Sequence, residues 1–304
     1  MPSNQNPLGA LPARFRRERV LIVGCGDVGL RVARNLKGRV RLLALTSSPA
    51  RVAPLRAGGI TPLQGNLDNP ASLRRLAGIA TRVAHLAPPP GQGWQDSRTV
   101  ALTRALRLRS APVSLVYGST SGVYGDCQGE LVAETRAANA RTPRAQRRVD
   151  AEAAVRFNGR SAHVRSSILR IPGIYAPDRE GGTPRERLLK GTPVLNAQDD
   201  VYTNHIHADD LARICAAALW RGKAQRVYNA SDDTHMLMGD YFDLAADLYG
   251  LPRPARVPRS TAQDQLPLML LSFMAESRRL DNSRIKRELK VQLRYPTVAE
   301  GLKC

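Results

Sequence analysis

The sequence contains little cysteine, few aromatic residues and no long apolar run. Its four cysteines are scattered, with neither a CxxC pair nor zinc spacing, so they predict reduced thiols in a cytoplasmic protein rather than disulfides or a metal site. The longest apolar stretch, at 266–273, is far shorter than the roughly 18 residues of a membrane span. The motifs of P-loop nucleotide hydrolases, HExxH metalloproteases and serine-elbow hydrolases are absent. These absences favour a cytoplasmic protein with no metal and no membrane partner.

Lysine is also scarce, although the chain is strongly basic. Among 304 residues, 46 basic and 26 acidic side chains give a formal charge of +20, and forty of the basic residues are arginine. Such a charge attracts polyanions, so a nucleic-acid partner stays open. The arginines are spread over every segment and aromatic residues are few, which favours an arginine-rich enzyme surface. Residues 1–18, which lack the apolar core of a secretory signal, predict a flexible basic tail.

Short apolar runs alternate with stretches of helical period from residue 19 onward. This alternation predicts a doubly wound parallel sheet, a Rossmann-type α/β fold, in a first domain over 19–175. The segment 176–304 loses the alternation and contains more proline, which predicts a smaller lobe whose segments near 200–230 return to the sheet. The predicted strands are 19–24, 39–46, 60–66, 81–87 and 112–119, and the predicted helices are 26–38, 49–57, 69–78 and 95–109.

A glycine motif follows the first predicted strand and opens the first helix. Residues 24–29 read GCGDVG, which is GxGxxG in the context that dinucleotide binding requires. Gly24 permits the tight turn, Gly26 lets the backbone approach a pyrophosphate, and Gly29 lets the helix pack on the strand. The helix N-terminus offers N–H groups and partial positive charge to the phosphates. We therefore predict a dinucleotide contacted by Gly24, Gly26, Asp27, Val28 and Gly29.

The end of the second predicted strand indicates which dinucleotide is preferred. An NAD site usually has a carboxylate about 20 residues beyond the glycine motif, where it accepts hydrogen bonds from the ribose. Here Thr46 and Ser47 stand at that place, Arg51 follows, and no carboxylate occurs from 40 through 67. Hydroxyls and a guanidinium suit a 2′-phosphate better than a diol. The sequence therefore predicts a preference for NADP(H) over NAD(H).

The motifs along the chain resemble those of a known family. After the glycine motif come GNLD (65–68), HLAPPP (85–90), STSGVYG (119–125), IYAPDR (174–179), NHIHADDLA (204–212) and RYPTVAEGL (294–302). Together they resemble the extended short-chain dehydrogenases, which include NAD-dependent epimerases and dehydratases, and are most similar to the atypical bacterial branch. The resemblance covers almost the whole chain, from about 19 to 302.

The resemblance implies a Rossmann domain that holds the cofactor and a small interleaved lobe that holds the substrate. Asn66 and Leu67 would lie beside the adenine, and Ala87 and Pro88 beside the ribose on the nicotinamide side. Thr120 takes the place of the family's catalytic serine or threonine; its alternative is an ordinary hydroxyl at a strand end. The expected substrate contacts are Ser119, Asn204, His205 and His207.

The sequence departs from this family at its proton donor. The family uses a tyrosine in a YxxxK motif, and no such motif occurs in the chain. Aligning Glu152 with the family's glutamate places Arg148 at the lysine and Arg144 at the tyrosine. Arginine cannot exchange a proton near neutral pH, so Arg144 cannot be the acid, whereas Arg148 can still bind ribose and supply positive charge.

Three explanations of the missing acid stay open. Tyr124 lies four residues beyond Thr120, but a lone tyrosine is more often a packing residue. His205 and His207 have side chains suited to proton transfer, yet either can simply cap the helix that begins near Ala208. Alternatively, the site carries out no proton chemistry.

Two functions follow from these alternatives. The first is an NAD(P)-dependent oxidoreductase or epimerase/dehydratase-like enzyme that acts on a small polar carbonyl compound or a nucleotide-sugar-like substrate. The second is a catalytically silent NADP(H)-binding sensor or scaffold, with an RNA or protein partner attracted by the positive charge. A homodimer is a further expectation for either.

Overall fold

The computed structural model of the protein describes residues 18–266 and 268–303, so the predicted basic tail lies almost entirely outside the described residues. The strands are short except for β5 and β7. They are β1 Arg19–Val23, β2 Arg41–Thr46, β3 Thr61–Gln64, β4 Arg82–His85, β5 Ser114–Thr120, β6 Leu131–Val132, β7 Arg165–Ile171, β8 Gly173–Tyr175, β9 Val194–Leu195, β10 Tyr202–Thr203, β11 His205–His207, β12 Arg226–Asn229, β13 Met236–Leu237, β14 Arg256–Val257 and β15 Arg279–Leu280.

The helices alternate with the strands through the first half of the chain and dominate the second. They are α1 Asp27–Leu36, α2 Val52–Ala57, α3 Ser97–Leu106, α4 Pro143–Ser161, α5 Arg185–Leu189, α6 Ala208–Arg221, α7 Met238–Tyr249, α8 Arg259–Gln265, α9 Leu268–Phe273, α10 Ser283–Leu289 and α11 Val298–Gly301. Short 3₁₀ helices occur at Pro49–Arg51, Pro70–Leu76 and Ser121–Tyr124. In the described ranges no helix combines the length and apolar character that crossing a bilayer requires.

The central element is a seven-stranded sheet in the order β12-β7-β5-β4-β1-β2-β3. Every pairing in it is parallel, because each strand is followed by a crossover that returns the chain to the same edge. The order reverses between β1 and β4, and open α/β sheets bind their ligands in the crevice at such a switch point. The doubly wound Rossmann-type fold that the sequence predicts is thus confirmed.

Both faces of the sheet are covered by helices. One core joins apolar side chains of α1, α6 and α10 to the sheet, among them Val32, Leu211 and Ile285. The other joins α3 and α4 to the opposite face, through Leu102 and Val155. The strands are apolar on both sides because both sides are buried.

One predicted helix has a different form from the one expected. The segment 69–78 folds as the 3₁₀ helix Pro70–Leu76, and the Asn69 side chain does not cap it. Its first turn closes when the Ser72 amide donates to the carbonyl of Asn69, three residues back. The Ser72 hydroxyl donates to the same carbonyl at 2.7 Å, which favours the tighter turn over an α-helix.

A third apolar cluster lies beyond the sheet in the C-terminal part of the chain. It includes Leu188 on α5, Phe242 on α7 and Val298 on α11. The chain returns to the main sheet inside this part, since β12 pairs with β7 and α6 packs on α1. The chain therefore passes between the lobe and the sheet several times, which holds the two together.

Candidate functional site

The glycine turn between β1 and α1 has the geometry that the three glycines predict. Gly24 has φ +86°, and a Cβ on it would lie 2.6 Å from the Cα of Ala87, so only glycine fits. A Cβ on Gly29 would lie 2.8 Å from the Gly24 carbonyl oxygen, which shows how closely α1 packs on the turn. At Gly26, by contrast, the space within 4 Å of a Cβ is empty. That opening adjoins the start of α1, which has no side-chain cap.

The end of β2 lies next to this turn because β1 and β2 pair in parallel. Arg51 reaches back so that its Nη2 donates to the Cys25 carbonyl oxygen at 2.6 Å. The buried Thr46 hydroxyl accepts a hydrogen bond from the Ser48 amide at 3.2 Å, while Ser47 is exposed. The structure therefore brings Thr46, Ser47 and Arg51 to the edge of the glycine turn.

Two further segments continue the same edge. Ala87 follows β4 and is buried against Gly24, and Pro88 after it is exposed. Asn66 is exposed after β3, and its side chain accepts a hydrogen bond from the Asp68 amide at 3.0 Å. Arg98 joins these segments, because it pairs with Asp68 at 2.6 Å and donates to the Pro88 carbonyl. Leu67 is half-buried against the core.

The end of β5 carries Ser119 and Thr120, whose hydroxyls have different partners. Thr120 Oγ1 accepts a 3.3 Å hydrogen bond from the Gly122 amide, and the half-buried side chain lines a cleft. Ser119 is buried, and its hydroxyl donates to Glu152 at 2.7 Å. Only Thr120 of the two is thus available to a ligand.

Glu152 is the centre of a buried cluster whose role the sequence does not reveal. Its side chain is 1% exposed, and Arg170 binds both carboxylate oxygens at 2.8 and 3.1 Å. Arg170 also lies 4.5 Å from the ring centre of Tyr124. Arg170 lies on β7, far along the chain, so no local pattern could indicate this pair.

The structure places Tyr124 inside this core rather than in the cleft. It is 1% exposed, and its hydroxyl donates to Asn229 at 2.7 Å. Burial raises the pKa of the phenol above its usual value. This placement supports a packing role and opposes a role in proton transfer.

Arg144 and Arg148, the arginines of α4 that align with the family's tyrosine and lysine, occupy different places. Arg148 donates to the Gly118 carbonyl at 2.7 Å and to the Tyr117 hydroxyl at 3.1 Å, so it lies along β5. Arg144, one turn earlier, is exposed and lines the same cleft as Thr120. The position aligned with the family's tyrosine therefore does face the cleft, but it presents a guanidinium.

The NHIH segment contributes mainly to structure. The Asn204 amide donates to the Arg278 carbonyl at 2.8 Å, and its oxygen accepts from the Leu280 amide at 2.9 Å. His207 caps α6 by accepting from the Asp209 amide at 3.2 Å. His205 lines the cleft, but burial lowers its pKa to about 3, so its ring is neutral at physiological pH.

The cleft that Thr120 lines lies between the sheet and the C-terminal lobe, and we call it the interlobe cleft. Its volume of about 700 Å³ is enough for a ligand of cofactor-fragment or sugar size. Most residues on its lobe side were assigned no role from the sequence. Tyr175 and Arg179 lie in the IYAPDR segment, whereas Arg187, Tyr202, Tyr241 and Arg278 carry no motif.

A charged cluster joins the glycine turn to the wall of this cleft. Arg31, which is 3% exposed, binds Asp27 at 3.0 Å, Asp178 at 2.6 Å and Asp209 at 2.6 Å. Asp27 also lies 3.4 Å from Arg179. Asp27 thus pairs with neighbouring arginines. Among the described residues no group of three or more histidine, cysteine, aspartate or glutamate side chains could hold a metal.

Comparisons with known proteins agree with this architecture. The chain is 28% identical to a functionally unknown conserved protein from Silicibacter pomeroyi, with a TM-score of 0.77 over 94% of this chain and 97% of that one. UDP-glucose 4-epimerase from Thermotoga maritima shares 17% identity, with a TM-score of 0.77 over 94% and 96% of the two chains. The dTDP-glucose 4,6-dehydratase DesIV from Streptomyces venezuelae shares 20%, with a TM-score of 0.75 over 94% of each.

No curated protein matches the chain. A family model described as the NAD dependent epimerase/dehydratase family matches residues 20–231, which is well over half of the sequence. The match includes the glycine turn, Thr120 and the NHIH segment. The chain therefore belongs to the NAD-dependent epimerase/dehydratase family.

Proposed function

We propose that the protein is an NADP(H)-dependent oxidoreductase or epimerase-like enzyme that acts on a small polar substrate in the interlobe cleft. The single observation that carries this proposal is the continuous edge formed by the glycine turn, the end of β2 and the end of β5, with Thr120 facing a cleft of about 700 Å³. An oxidoreductase needs a cofactor groove and a substrate cavity that meet at a reactive group.

The residues at the glycine turn fit a dinucleotide. The empty space at Gly26 and the uncapped start of α1 leave room and hydrogen-bond donors for a pyrophosphate. Thr46, Ser47 and Arg51 would hold a 2′-phosphate, and their charge and hydroxyls support NADP(H) over NAD(H). Asn66 and Leu67 would flank the adenine, and Ala87 and Pro88 the second ribose. When bound, the nicotinamide supplies or accepts a hydride.

The chain's own residues would orient the substrate beside that group. The Thr120 hydroxyl can hydrogen-bond a carbonyl or alcohol oxygen, since its one hydrogen bond among the described residues is the long bond that it accepts from the Gly122 amide. Arg148 lies along β5, where its positive charge can stabilise negative charge that develops on oxygen.

A catalytically silent NADP(H)-binding sensor is a second candidate, and a specific observation favours it. Arg144 faces the cleft at the position aligned with the family's acid, and a guanidinium does not release a proton near neutral pH. Tyr124 is buried and its hydroxyl donates to Asn229, and the His205 ring is neutral. A sensor would bind the dinucleotide and turn over nothing.

Turnover measurements with Thr120 variants separate the two candidates. NADPH oxidation would be followed against a panel of carbonyl compounds and nucleotide sugars. For the enzyme, we expect Thr120→Ala to lower kcat about a hundredfold while NADPH affinity stays unchanged. Thr120→Ser, which keeps the hydroxyl, is the matched control and should retain most of the activity. NADPH binding without turnover of any panel member would favour the sensor.

A further inference from the structure

The loop that follows β8 closes tightly on itself at the edge of the interlobe cleft, and we call its residues 176–182 the clasp loop. The Ala176 amide donates to the Gly182 carbonyl at 3.2 Å, and the Gly182 amide donates to the Arg179 carbonyl at 2.9 Å. A Cβ on Gly182 would lie 2.6 Å from the Ala176 carbonyl oxygen, so a larger residue would prevent this closure. These hydrogen bonds hold the backbone that carries Arg179.

Two ion pairs attach the clasp loop to α1, the helix of the glycine turn. Asp178 binds Arg31 at 2.6 Å, and Arg179 Nε lies 3.4 Å from Asp27 Oδ2. Asp27 is the first residue of α1 and directly follows Gly26, where the uncapped helix start and the open space would receive the pyrophosphate. Arg179 therefore lies beside the proposed pyrophosphate position, on the side of the C-terminal lobe.

Arg31 and Arg179 differ in the hydrogen-bond donors that they have left. Arg31 is 3% exposed, and each of its three side-chain nitrogens is paired with a carboxylate. Arg179 is 31% exposed; its Nε faces Asp27 and its Nη1 donates to the Ile174 carbonyl at 2.7 Å. Its Nη2 has no hydrogen-bond partner among the described residues and is not one of their buried polar atoms. Arg179 thus retains an accessible charged donor.

The Asp27 carboxylate creates an electrostatic problem for an anion at this helix start. Three carboxylates lie against the two guanidinium groups of this cluster, those of Asp27, Asp178 and Asp209. A pyrophosphate that approached Asp27 without a cation beside them would be repelled. Arg179 can supply that cation, because it contacts Asp27 through Nε and still has Nη2 available.

We propose that Arg179 contacts the pyrophosphate of the dinucleotide through Nη2 and closes the cofactor groove on the side of the C-terminal lobe. The inference rests on the proposed function and adds a contact that the glycine motif does not supply. A guanidinium suits phosphate oxygens because it is always charged and donates in fixed directions. The pyrophosphate is common to NADPH and NADH, so Arg179 should bind both alike, whereas Arg51 should distinguish them.

Fluorescence titration of the full chain with NADPH and NADH tests the proposal. Calorimetric titration with adenosine 2′-monophosphate, which lacks the pyrophosphate, reports on the rest of the cofactor site. Arg179→Met removes the guanidinium and keeps an alkyl side chain, whereas Arg179→Lys keeps the charge without the planar group. Arg185→Met is the matched control, since Arg185 is an exposed arginine of α5 that lies over the Tyr249 ring and outside the described lining of the cleft.

We expect Arg179→Met to weaken the binding of NADPH and of NADH at least about tenfold each, and Arg179→Lys to weaken both less. The affinity of both variants for adenosine 2′-monophosphate should stay within about twofold of wild type, which also shows that they fold. Arg185→Met should bind all three ligands within about twofold of wild type.

A second background separates direct contact from mere neutralisation of Asp27. Asp27→Asn removes the carboxylate, so an arginine that only neutralises it would have no further effect on binding in this background. If Arg179 contacts the pyrophosphate, Arg179→Met should still weaken NADPH binding at least about fivefold in the Asp27→Asn protein.

Three results would overturn the role of Arg179 while leaving the proposed function intact. The first is equal NADPH affinity in Arg179→Met and wild type. The second is weaker binding of NADPH with unchanged binding of NADH, which would mean that Arg179 contacts the 2′-phosphate. The third is no effect of Arg179→Met in the Asp27→Asn protein. A wild-type chain that binds neither dinucleotide overturns the proposed function, and the role of Arg179 falls with it.

Discussion

Arg31 and Asp178 form a 2.6 Å ion pair that joins the helix of the glycine turn to the loop along the interlobe cleft. The two residues are 147 positions apart in the chain. Arg31 is almost fully buried and also binds Asp27 and Asp209. The cofactor side and the cleft side of the site are therefore connected through one guanidinium.

We expect Arg31→Met to lower the free energy of unfolding by about 3 kcal/mol, because it leaves three carboxylates close together without their shared cation. The value is at the low end for buried pairs, since the carboxylates are partly exposed. Urea unfolding measures it. Arg34→Met, an exposed change on the same helix, should stay within about 0.5 kcal/mol of wild type, and equal losses in both variants would contradict the bridging role.

Alanine substitutions at two glycines of the turn are expected to have different effects, one on NADPH binding and the other on the stability of the fold. A methyl group at Gly26 would enter open space, so Gly26→Ala should fold with wild-type stability but bind NADPH at least about tenfold more weakly, because the methyl group meets the pyrophosphate. Gly24→Ala should instead destabilise the fold, because a side chain there meets Ala87 at a positive φ. Thermal melting without nucleotide and fluorescence titration with NADPH measure the two effects. Unchanged NADPH affinity in Gly26→Ala would place the cofactor elsewhere.

Arg51 is expected to select between the two dinucleotides. Arg51→Met should weaken NADPH binding about tenfold or more, since it removes a charged partner of the 2′-phosphate, and should change NADH binding by less than about threefold. Fluorescence titrations with both nucleotides check this. Arg56→Met, an exposed arginine of α2, controls for general charge. Equal weakening of NADPH and NADH would show that Arg51 supports the turn through Cys25 and does not read the phosphate.

Glu288 forms an ion pair with Arg226 that is expected to break when the carboxylate is protonated in acid. Arg226 binds it at 2.6 Å and Tyr228 donates to it at 3.2 Å, and these contacts lower its pKa to about 2. The pKa of Glu288 is lower in the folded than in the unfolded protein. The ion pair therefore stabilises the fold fully above about pH 4.5, and this stabilisation is lost as the pH falls toward 2. Because Arg226 is 40% exposed and solvent screens the pair, this contribution to the free energy of unfolding is about 1–2 kcal/mol.

The measurement is urea unfolding of wild type and Glu288→Gln between pH 2 and pH 7. The variant should be less stable at pH 7, and its stability should depend less on pH over the acid range. Glu130→Gln, in an exposed pair with Arg136, should resemble wild type. Parallel pH profiles for wild type and Glu288→Gln would contradict the assignment.

The local sequence was sufficient for the Rossmann half of the molecule. Alternating apolar runs and helical periods predict the parallel sheet, because a strand that is buried on both faces is a continuous run of apolar residues. The glycine turn could also be predicted, since the motif is local in sequence and Gly29 is required by a contact with Gly24 in the same βαβ unit; the contact that requires Gly24, with Ala87 after β4, is known only from the fold. The preference for NADP(H) stays a prediction, and the fold shows that Arg51 reaches the turn, where it donates to the Cys25 carbonyl.

The roles of individual polar side chains depended on partners far along the chain. Ser119 and Asn204 were both expected to contact substrate. The Ser119 hydroxyl instead donates to Glu152, whereas Asn204 does line the cleft and its amide also bonds the backbone of Arg278 and Leu280. Arg187 carries no motif, and only the fold shows that it lines the cleft while one edge of its guanidinium is buried against the protein. Sequence spacing reports neighbours on one helix or strand, whereas desolvation and hydrogen-bond partnership are set by tertiary packing. The sequence by itself therefore determined the scaffold and the cofactor turn, and the tertiary structure decided which polar groups are left to meet a ligand.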